Sequence, residues 1–426
     1  MKNNKVFVLN HCSHNKGDNS VLTYVVKKLI SKNNELCLST SSGEMPEWLN
    51  KLIGKKVDSV LWGPGDWFDY KNSKVNYYRL RIKQKIYINL FYYILRKYSQ
   101  GEKLLVKRIF SLIYNKSFLR KIKDADIVLS SGGHHISSVL DVDGINPQLL
   151  DMICADVYGK KLVLWAQSIG PVKTDISYIK KSISLLIKNS LKTFYRCDQS
   201  REFLTEIGAI DFDGVSELDD SVFGLIQLLD RENKINISHN SREKKAIVAI
   251  YNSSYRDKSE ELRYIENLIK IIDKVILSGY RVSFLPMQYK GDPGDERPLI
   301  SQIINGITNS ERVDVIDKDL SPIETLKKVS EYSLLIGHKT HSVVYGLGLE
   351  IPTLAIAYHP KTRYFMRRYG VEKYCIDEHE FIENQELSLS LVDDLIENEL
   401  ACHDILNIAG GDIKSRVNDE FDKIFY

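Results

Sequence analysis

Short apolar runs alternate along the chain with longer segments in which apolar residues recur every three or four positions. The short runs are typical of buried strands, and the longer segments are typical of amphipathic helices. The predicted strands are 5–10, 35–39, 58–62, 125–130, 161–166, 193–197, 246–251, 281–285, 334–336 and 353–358. Because strands and helices alternate, the pattern predicts an α/β protein built on open parallel sheets.

Two domains are predicted from the chain length and from one polar interruption. At 426 residues the chain exceeds the usual size of a single hydrophobic core. The segment 231–245 is polar and charged, and we interpret it as a linker. The prediction is therefore an N-terminal domain at 1–230, a C-terminal domain at 246–405 and a helical tail at 406–426.

A basic, aromatic segment interrupts the first predicted domain. Between Trp67 and Lys123 there are fifteen lysines and arginines and only two acidic residues, Asp69 and Glu102. The segment 67–123 is helix-like and suits an anionic membrane face or a lipid-linked acidic acceptor. Single-stranded nucleic acid uses similar residues. The simpler interpretation is a helical hairpin whose aromatic rings pack on the domain.

The composition limits the partners and the cellular location that can be expected for the chain. The net charge of the whole chain is only +3, so nucleic acid is not predicted as a partner. The six cysteines are scattered without metal-type spacing, which is typical of reduced thiols. The N-terminal apolar run is too short for a signal peptide, and no apolar run is long enough to span a bilayer. We expect a cytoplasmic protein, peripheral on the inner membrane face if the basic segment binds lipid.

Polar residues follow two late strands at the points where they end. The strand 334–336 is followed by His338, Lys339, Thr340 and His341, and the strand 353–358 is followed by Lys361. In open α/β sheets, ligands bind beyond the carboxyl ends of the strands. The pattern therefore predicts a binding site here, although ordinary solvated loops also carry such residues.

The first half has the same arrangement of polar strand ends. After strand 5–10 the turn at Gly17 and Asp18 starts a helix, with Asp18 as a candidate N-cap, and its backbone N–H groups form a place for an anion. A capped turn with no ligand fits these residues equally well. The other candidates are Asn15, Gly132, Gly133, His134, Gln167, Ser168 and Arg196.

Taken together, the strand ends carry an ordered series of motifs that resembles the polysaccharide pyruvyl transferase family. The motifs are NKGD (15–18), SGG (131–133), QSIGP (167–171), RCDQS (196–200), DDSVF (219–223) and GHKTHSVVYGLGLEIP (337–352). The resemblance implies two Rossmann-like domains that face each other across a cleft, as in GT-B glycosyltransferases. It also implies transfer of the pyruvyl group of phosphoenolpyruvate to two hydroxyls of a sugar, as a ketal in a surface polysaccharide.

The resemblance also implies roles for individual residues. Lys339, Thr340 and His341 match an Arg-Leu-His triplet of the family, and Arg196 matches a family arginine. Arg196, Lys339, Thr340, Lys361 and His338 are then expected to bind the donor, and His341 is expected to protonate it. Asp18 is expected to contact an acceptor hydroxyl or act as its base.

The remaining candidates are expected to contact the acceptor or line the cleft. They are Asn15, Gly17, Gly132, Gly133, His134, Gln167 and Ser168. The resemblance implies neither a metal nor a cofactor. The expected acceptor is a lipid-linked or polymeric saccharide.

Lys339 departs from the pattern of the family and keeps a second hypothesis open. Lysine retains the positive charge of arginine but lacks its planar, two-pronged contact with carboxylate or phosphate. In the alternative, a GT-B-like glycosyltransferase, Lys339 and Arg196 neutralise a departing nucleotide diphosphate. A non-catalytic protein of a polysaccharide assembly complex is the third hypothesis.

Overall fold

The computed structural model describes residues 4–9, 15–54, 57–64, 77–138, 146–173, 176–237, 243–253, 255–289 and 294–425, with the backbone alone for 77–84. The chain divides into two compact units. The first unit contains Met1–Cys12 and Leu22–Asp219, and the second contains Ser13–Val21 and Asp220–Tyr426. Each unit is built on one parallel sheet, which confirms the predicted α/β class.

The sheet of the first unit has the strand order β3-β2-β1-β4-β6-β7-β8, and β5 pairs with the end of β6. The strands are β1 Lys5–Leu9, β2 Glu35–Thr40, β3 Asp58–Leu61, β4 Ile127–Ser130, β5 Gly133–Ile136, β6 Lys161–Ile169, β7 Lys192–Tyr195 and β8 Val215–Glu217. The helices are α1 Lys16–Ser31, of which the residues up to Val21 belong to the second unit, α2 Glu47–Ile53, α3 Tyr77–Ser99, α4 Lys103–Ile113, α5 Lys116–Asp124, α6 Leu149–Val157, α7 Ser177–Asn189 and α8 Asp198–Glu206. All four residues of β4 are buried, as expected for a parallel strand covered on both faces.

The sheet of the second unit has the strand order β11-β10-β9-β12-β13-β14. The strands are β9 Lys245–Ala249, β10 Arg281–Phe284, β11 Val313–Val315, β12 Leu334–Gly337, β13 Thr353–Ala357 and β14 Cys375–Asp377. The helices are α9 Ser221–Arg231, α10 Lys258–Leu277, α11 Arg297–Gly306, α12 Pro322–Val329, α13 Thr340–Gly348, α14 Pro360–Arg368, α15 Glu378–Glu383, α16 Gln385–Glu397 and α17 Glu399–Phe425. This is the strand order of a Rossmann fold.

Strand register brings several polar strand ends to one edge of the second sheet. Gly337, the last residue of β12, lies opposite Ala249 of β9 and Ala355 of β13. The residues that follow these strands therefore emerge at the same edge. His338 is one of them, and Tyr358, which follows β13, is another.

The division of the chain differs from the predicted boundary at residue 230. Helix α9 belongs to the second unit because Phe223 packs against Phe365 and Tyr369, with ring centroids 5.8 and 5.1 Å apart. The last helix begins at Glu399 and continues to Phe425, whereas the predicted tail began at 406. One face of this helix is buried along most of its length, which keeps it on the unit.

The helical nature of the basic insertion is confirmed for its described residues, 77–123. Tyr87, Phe91, Tyr98, Phe110 and Tyr114 are buried and join the core of the first unit. Residues 67–76 lie outside the described ranges. Most of the described aromatic rings thus pack on the domain, as the simpler interpretation expected. Within the described ranges no helix is both long and apolar enough to cross a membrane.

Candidate active site

The first turn of α1 and the first turn of α13 start side by side in the second unit. A Cβ atom at Gly17 would lie 2.0 Å from Cγ of His341. One helical turn further, Ser20 Oγ and the Tyr345 hydroxyl are 2.8 Å apart. Because both helices begin here, the N–H groups of their first turns and the positive ends of their dipoles are close together. Such an arrangement favours a bound anion.

Two side chains fix the start of α1. Asn15 Oδ1 accepts a hydrogen bond from Gly17 N at 2.8 Å, so Asn15 caps the helix. The predicted cap, Asp18, is wrong, since the helix begins at Lys16 and Asp18 lies in its first turn. The ammonium of Lys16 is buried and donates to Asp319 Oδ1 at 2.5 Å and to Leu320 O at 2.8 Å. These contacts hold the first turn of α1 within the second unit.

His341 lies between Gly17 and the buried carboxylate of Asp220. Its Nε2 is 3.9 Å from Asp220 Oδ2, and the imidazole is mostly buried. Asp220 is the N-cap of α9, and its other oxygen accepts from Val222 N at 3.0 Å. The carboxylate therefore has a fixed position from which it attracts the positive charge of a protonated His341 ring.

Lys339 is the N-cap residue of α13, and its side chain is turned into the protein. The ammonium lies 2.5 Å from Glu296 Oε1 and also contacts Gln288. Glu296 is fully buried, and burial raises its pKa, an effect that Lys339 opposes. The donor-binding role of Lys339 stays a prediction. In the structure its ammonium forms an ion pair with the buried carboxylate of Glu296.

His338 is enclosed by other side chains of the second unit. Its Nδ1 lies 2.8 Å from the Tyr264 hydroxyl, and its Nε2 lies 3.5 Å from Glu378 Oε1. The rings of Tyr251 and His338 also pack in a T-shaped arrangement, with centroids 5.5 Å apart. Burial lowers the pKa of His338 below its ordinary value. In this position His338 supports the strand end from within.

Thr340 connects α13 to the start of α14. Its hydroxyl is 2.7 Å from that of Thr362, in the turn that also carries Lys361. His359 caps α14 by accepting from Lys361 N at 3.2 Å. Burial, with smaller effects from other groups including Asp18, raises the pKa of Tyr358 to about 12. Three helix starts therefore adjoin in the second unit, those of α1, α13 and α14.

In the first unit, Gln167 joins two strand ends. Its side-chain amide donates to Ser130 O at 3.0 Å and to Ser131 O at 2.6 Å. Its backbone carbonyl accepts from Arg196 N at 3.0 Å. Arg196 is buried, and its Nε donates to Ser168 Oγ at 3.1 Å. The structure thus brings together three of the residues predicted in this half: Gln167, Ser168 and Arg196.

Unusual backbone conformations flank this cluster. Ala166 precedes Gln167 and has a φ of 44°, and Cys197 follows Arg196 with a φ of 73°. Residues other than glycine adopt positive φ at a cost of about 1–3 kcal/mol, and such strain concentrates at functional sites. The strain at both positions supports a functional role for this strand edge.

The glycine-rich turn of the first unit continues into β5. A Cβ at Gly133 would lie 2.7 Å from Nε2 of His135, so the turn packs closely on this ring. His134 points the other way and is exposed. Adjacent side chains on extended backbone point to opposite faces in this way. Gly132 precedes the strand and is buried.

The structure also contains site residues that the sequence did not single out. Asp220 lies in the DDSVF motif, whose acidic residues were a usable signal. Glu296 and Gln288 lie in a charged, glycine-containing stretch that resembles an ordinary loop. Nothing in the local sequence predicts their contact with Lys339.

A model of the polysaccharide pyruvyl transferase family matches residues 15–360, well over half of the chain. The chain belongs to this family. As a member of the polysaccharide pyruvyl transferase family it is a transferase. The match begins at Asn15 and ends at Pro360, so it includes both helix starts that meet at Gly17 and His341. A search of curated protein sequences gives no match.

Solved structures with UDP or a UDP-sugar bound share the fold of this polysaccharide pyruvyl transferase family member. Staphylococcus aureus MnaA with UDP aligns at 11% identity and a TM-score of 0.57, covering 98% of this chain and 96% of that one. UDP-GlcNAc 2-epimerase from Neisseria meningitidis, bound to UDP-GlcNAc, aligns at 13% identity and a TM-score of 0.54, with 99% of each chain covered. Anabaena Alr3699/HepE with UDP-glucose aligns at 9% identity and a TM-score of 0.53, covering 99% of this chain and all of that one.

These alignments confirm the predicted GT-B-like fold of two Rossmann-like domains. At such low identity they carry no information on the substrate. The predicted cleft between the domains stays a prediction.

Proposed function

We propose that this transferase moves the pyruvyl group of phosphoenolpyruvate onto two hydroxyls of a sugar, as a cyclic ketal in a surface polysaccharide or its lipid-linked precursor. The observation that carries the proposal is the contact between Gly17 and His341. It joins the NKGD and GHKTHS motifs, which come from opposite ends of the matched range. The family assignment supplies the reaction class.

The donor carries a carboxylate and a phosphate, and both need positive partners. The first turns of α1, α13 and α14 offer backbone N–H groups and the positive ends of helix dipoles. Lys361 lies in the first turn of α14 and adds a cation. Arg196 keeps its proposed role as a second cation for the donor, with a guanidinium suited to two-pronged contact.

His341 is the proposed general acid. It gives its proton to the methylene carbon of phosphoenolpyruvate, which forms a methyl group and leaves positive charge on the neighbouring carbon. A sugar hydroxyl attacks that carbon and passes its proton to Asp18. The bond to phosphate then breaks, and phosphate leaves with this proton. A second hydroxyl closes the ketal, and its proton returns to His341.

A second candidate function is glycosyl transfer from a nucleotide sugar. The GT-B-like fold fits this reaction too, since structures with UDP-GlcNAc and UDP-glucose bound share it. In that reaction the same helix starts would hold the diphosphate of the departing nucleotide.

Ligand-dependent melting tests the proposed donor directly. A ligand that binds the folded state stabilises it by about 2.7 kcal/mol at one hundred times its dissociation constant. We expect phosphoenolpyruvate to raise Tm, while UDP-glucose and UDP-GlcNAc leave it unchanged. Stabilisation by a UDP-sugar alone would replace the first candidate with the second.

We further propose that the insertion 67–123 contacts an anionic membrane where a lipid-linked acceptor resides. On α4, Leu104 and Leu112 are 78% and 84% exposed, with the exposed Arg108 midway between them. Residues spaced by four lie on one face of a helix. The sequence of α4 contains three basic residues and no acidic one. Exposed leucines beside basic residues are typical of helices that lie on anionic lipid.

A further inference from the structure

A buried ion pair ties together three backbone segments of the second unit. Lys339 and Glu296 have side chains that are 7% and 0% exposed, and their charged atoms are 2.5 Å apart. The other oxygen of Glu296 accepts from Met287 N at 2.7 Å and Gln288 N at 3.0 Å. The Gln288 side chain accepts a further hydrogen bond from Lys339. The carboxylate thus links the chain leaving β10, the start of α11 and the start of α13.

The pair of Lys339 and Glu296 controls the position of His341, which lies two residues after Lys339 in the chain. Lys339 is the N-cap of α13, and its carbonyl accepts from Ser342 N at 2.9 Å and Ser342 Oγ at 2.6 Å. His341 lies within the turn that these bonds close. A displacement of Lys339 therefore displaces His341 relative to Gly17.

The chemistry of lysine suits this internal role. An ammonium is a compact charge that one carboxylate oxygen can neutralise, whereas a guanidinium presents a wide planar fork. A donor anion placed on Lys339 would also lie next to the negative charge of Glu296. That repulsion removes most of the gain from the lysine charge.

We propose that Glu296 is a positioning residue, which holds Lys339 inside the protein so that the lysine fixes the start of α13 instead of binding the donor. The inference rests on the proposed function, because the residue being positioned is the proposed acid His341. It assigns the binding of the donor anion to the helix starts and to the other cations. Lys339 then differs from the family arginine in role as well as in shape.

Four proteins test this inference: the wild type, Glu296→Gln, Lys339→Met and the double variant. Each single variant leaves one buried charged partner uncompensated. We expect kcat to fall about 100-fold in each, as is typical of a small misplacement of a catalytic group. In the double variant no unpaired charge remains, so kcat should recover to within about tenfold of wild type.

The Michaelis constant separates positioning from direct binding. A positioning role predicts that the KM for phosphoenolpyruvate in the double variant stays within about threefold of wild type. A double variant no better than Lys339→Met, with a strongly raised KM, would show that Lys339 binds the donor. If a single variant does not fold, the wild type and the double variant still decide the question.

Failure of the proposed function gives a different result. In that case the wild type transfers no pyruvyl group at all. The four proteins are then compared with the UDP-sugar that raises Tm. Recovery of kcat in the double variant with an unchanged KM still supports the positioning role. A low kcat together with a raised KM in the double variant overturns it.

Discussion

Gly17 and His341 are packed so closely that residue 17 has no room for a side chain: a Cβ there would lie 2.0 Å from Cγ and 2.5 Å from Cβ of the histidine. The clash involves the root of the imidazole side chain, so His341 would have to leave its position. Close packing against His341 therefore explains why the NKGD motif has a glycine at residue 17.

We predict that Gly17→Ala destabilises the protein by about 1–3 kcal/mol through overpacking and also lowers kcat. Gly411→Ala is the matched control, because Gly411 also lies in a helix and a Cβ there meets no atom within 4 Å. Because alanine is less flexible than glycine in the unfolded chain, Gly411→Ala should raise the free energy of unfolding by about 0.5–1 kcal/mol. Chemical denaturation measures both changes. Equal effects of the two substitutions would contradict close packing of Gly17 on His341.

Cys197 gives a prediction about backbone strain beside Arg196. Its φ of 73° and ψ of 157° fall in a region that is used almost only by glycine. Cys197→Gly and Cys197→Ala remove the same thiol, so their difference isolates the backbone. We expect the glycine variant to be more stable by about 1 kcal/mol or more. Cys154 lies in the ordinary helix α6 and serves as the control, because there the alanine variant should be more stable than the glycine variant. A glycine variant that is more stable at both positions would contradict backbone strain at Cys197.

His338 predicts a pH dependence of stability. Burial lowers its pKa in the folded state, so the unfolded chain binds the proton more readily. Its contribution to stability is therefore complete above the ordinary histidine pKa of about 6.5 and is lost as pH falls toward the lower folded value. Compared with His338→Gln, the wild type should lose more unfolding free energy between about pH 7.5 and 5.5. The exposed His379→Gln serves as control, and parallel pH curves for the wild type and His338→Gln would contradict the prediction.

The exposed leucines of α4 predict binding to lipid. We expect the double substitution Leu104→Ser and Leu112→Ser to weaken binding to vesicles containing phosphatidylserine by about tenfold or more, since burying one leucine contributes about 1.5 kcal/mol. The control replaces Leu262 and Leu277 of α10, which are 61% and 77% exposed in the second unit. Sedimentation measures both. An affinity for vesicles that does not change with salt concentration or with the charge of the lipid would exclude an electrostatic attachment.

The order of the elements could be predicted from the sequence because most strands are runs of buried apolar residues. Strands β5, β8 and β14 were missed: β5 contains a glycine and two histidines, and β8 and β14 have only three residues each, including a polar one. Their pairing comes from neighbouring strands, which local sequence does not contain. The cap of α1 was misplaced by three residues, because Asn15 and Asp18 are both good caps and only the folded helix selects one.

The candidate site could be predicted only in part for the same reason. Polar residues at strand ends were visible, and with them His341, Gln167 and Arg196. The partners that define their environment come from distant segments. Glu296 resembles a solvated charge in the sequence, yet it is fully buried against Lys339. Which unit the first turn of α1 joins was equally hidden, because it depends on contacts of Lys16 and Gly17 with distant residues.

Transfer of a pyruvyl group is the measurement that tests the central claim most directly. The purified protein is incubated with phosphoenolpyruvate and a synthetic lipid-linked saccharide, and the products are analysed by mass spectrometry together with released phosphate. We predict a ketal product and equal release of phosphate in the wild type, with a rate about 10²–10⁴-fold lower in His341→Ala. Wild-type turnover by His341→Ala, or sugar transfer from a UDP-sugar with no ketal from phosphoenolpyruvate, would contradict the account.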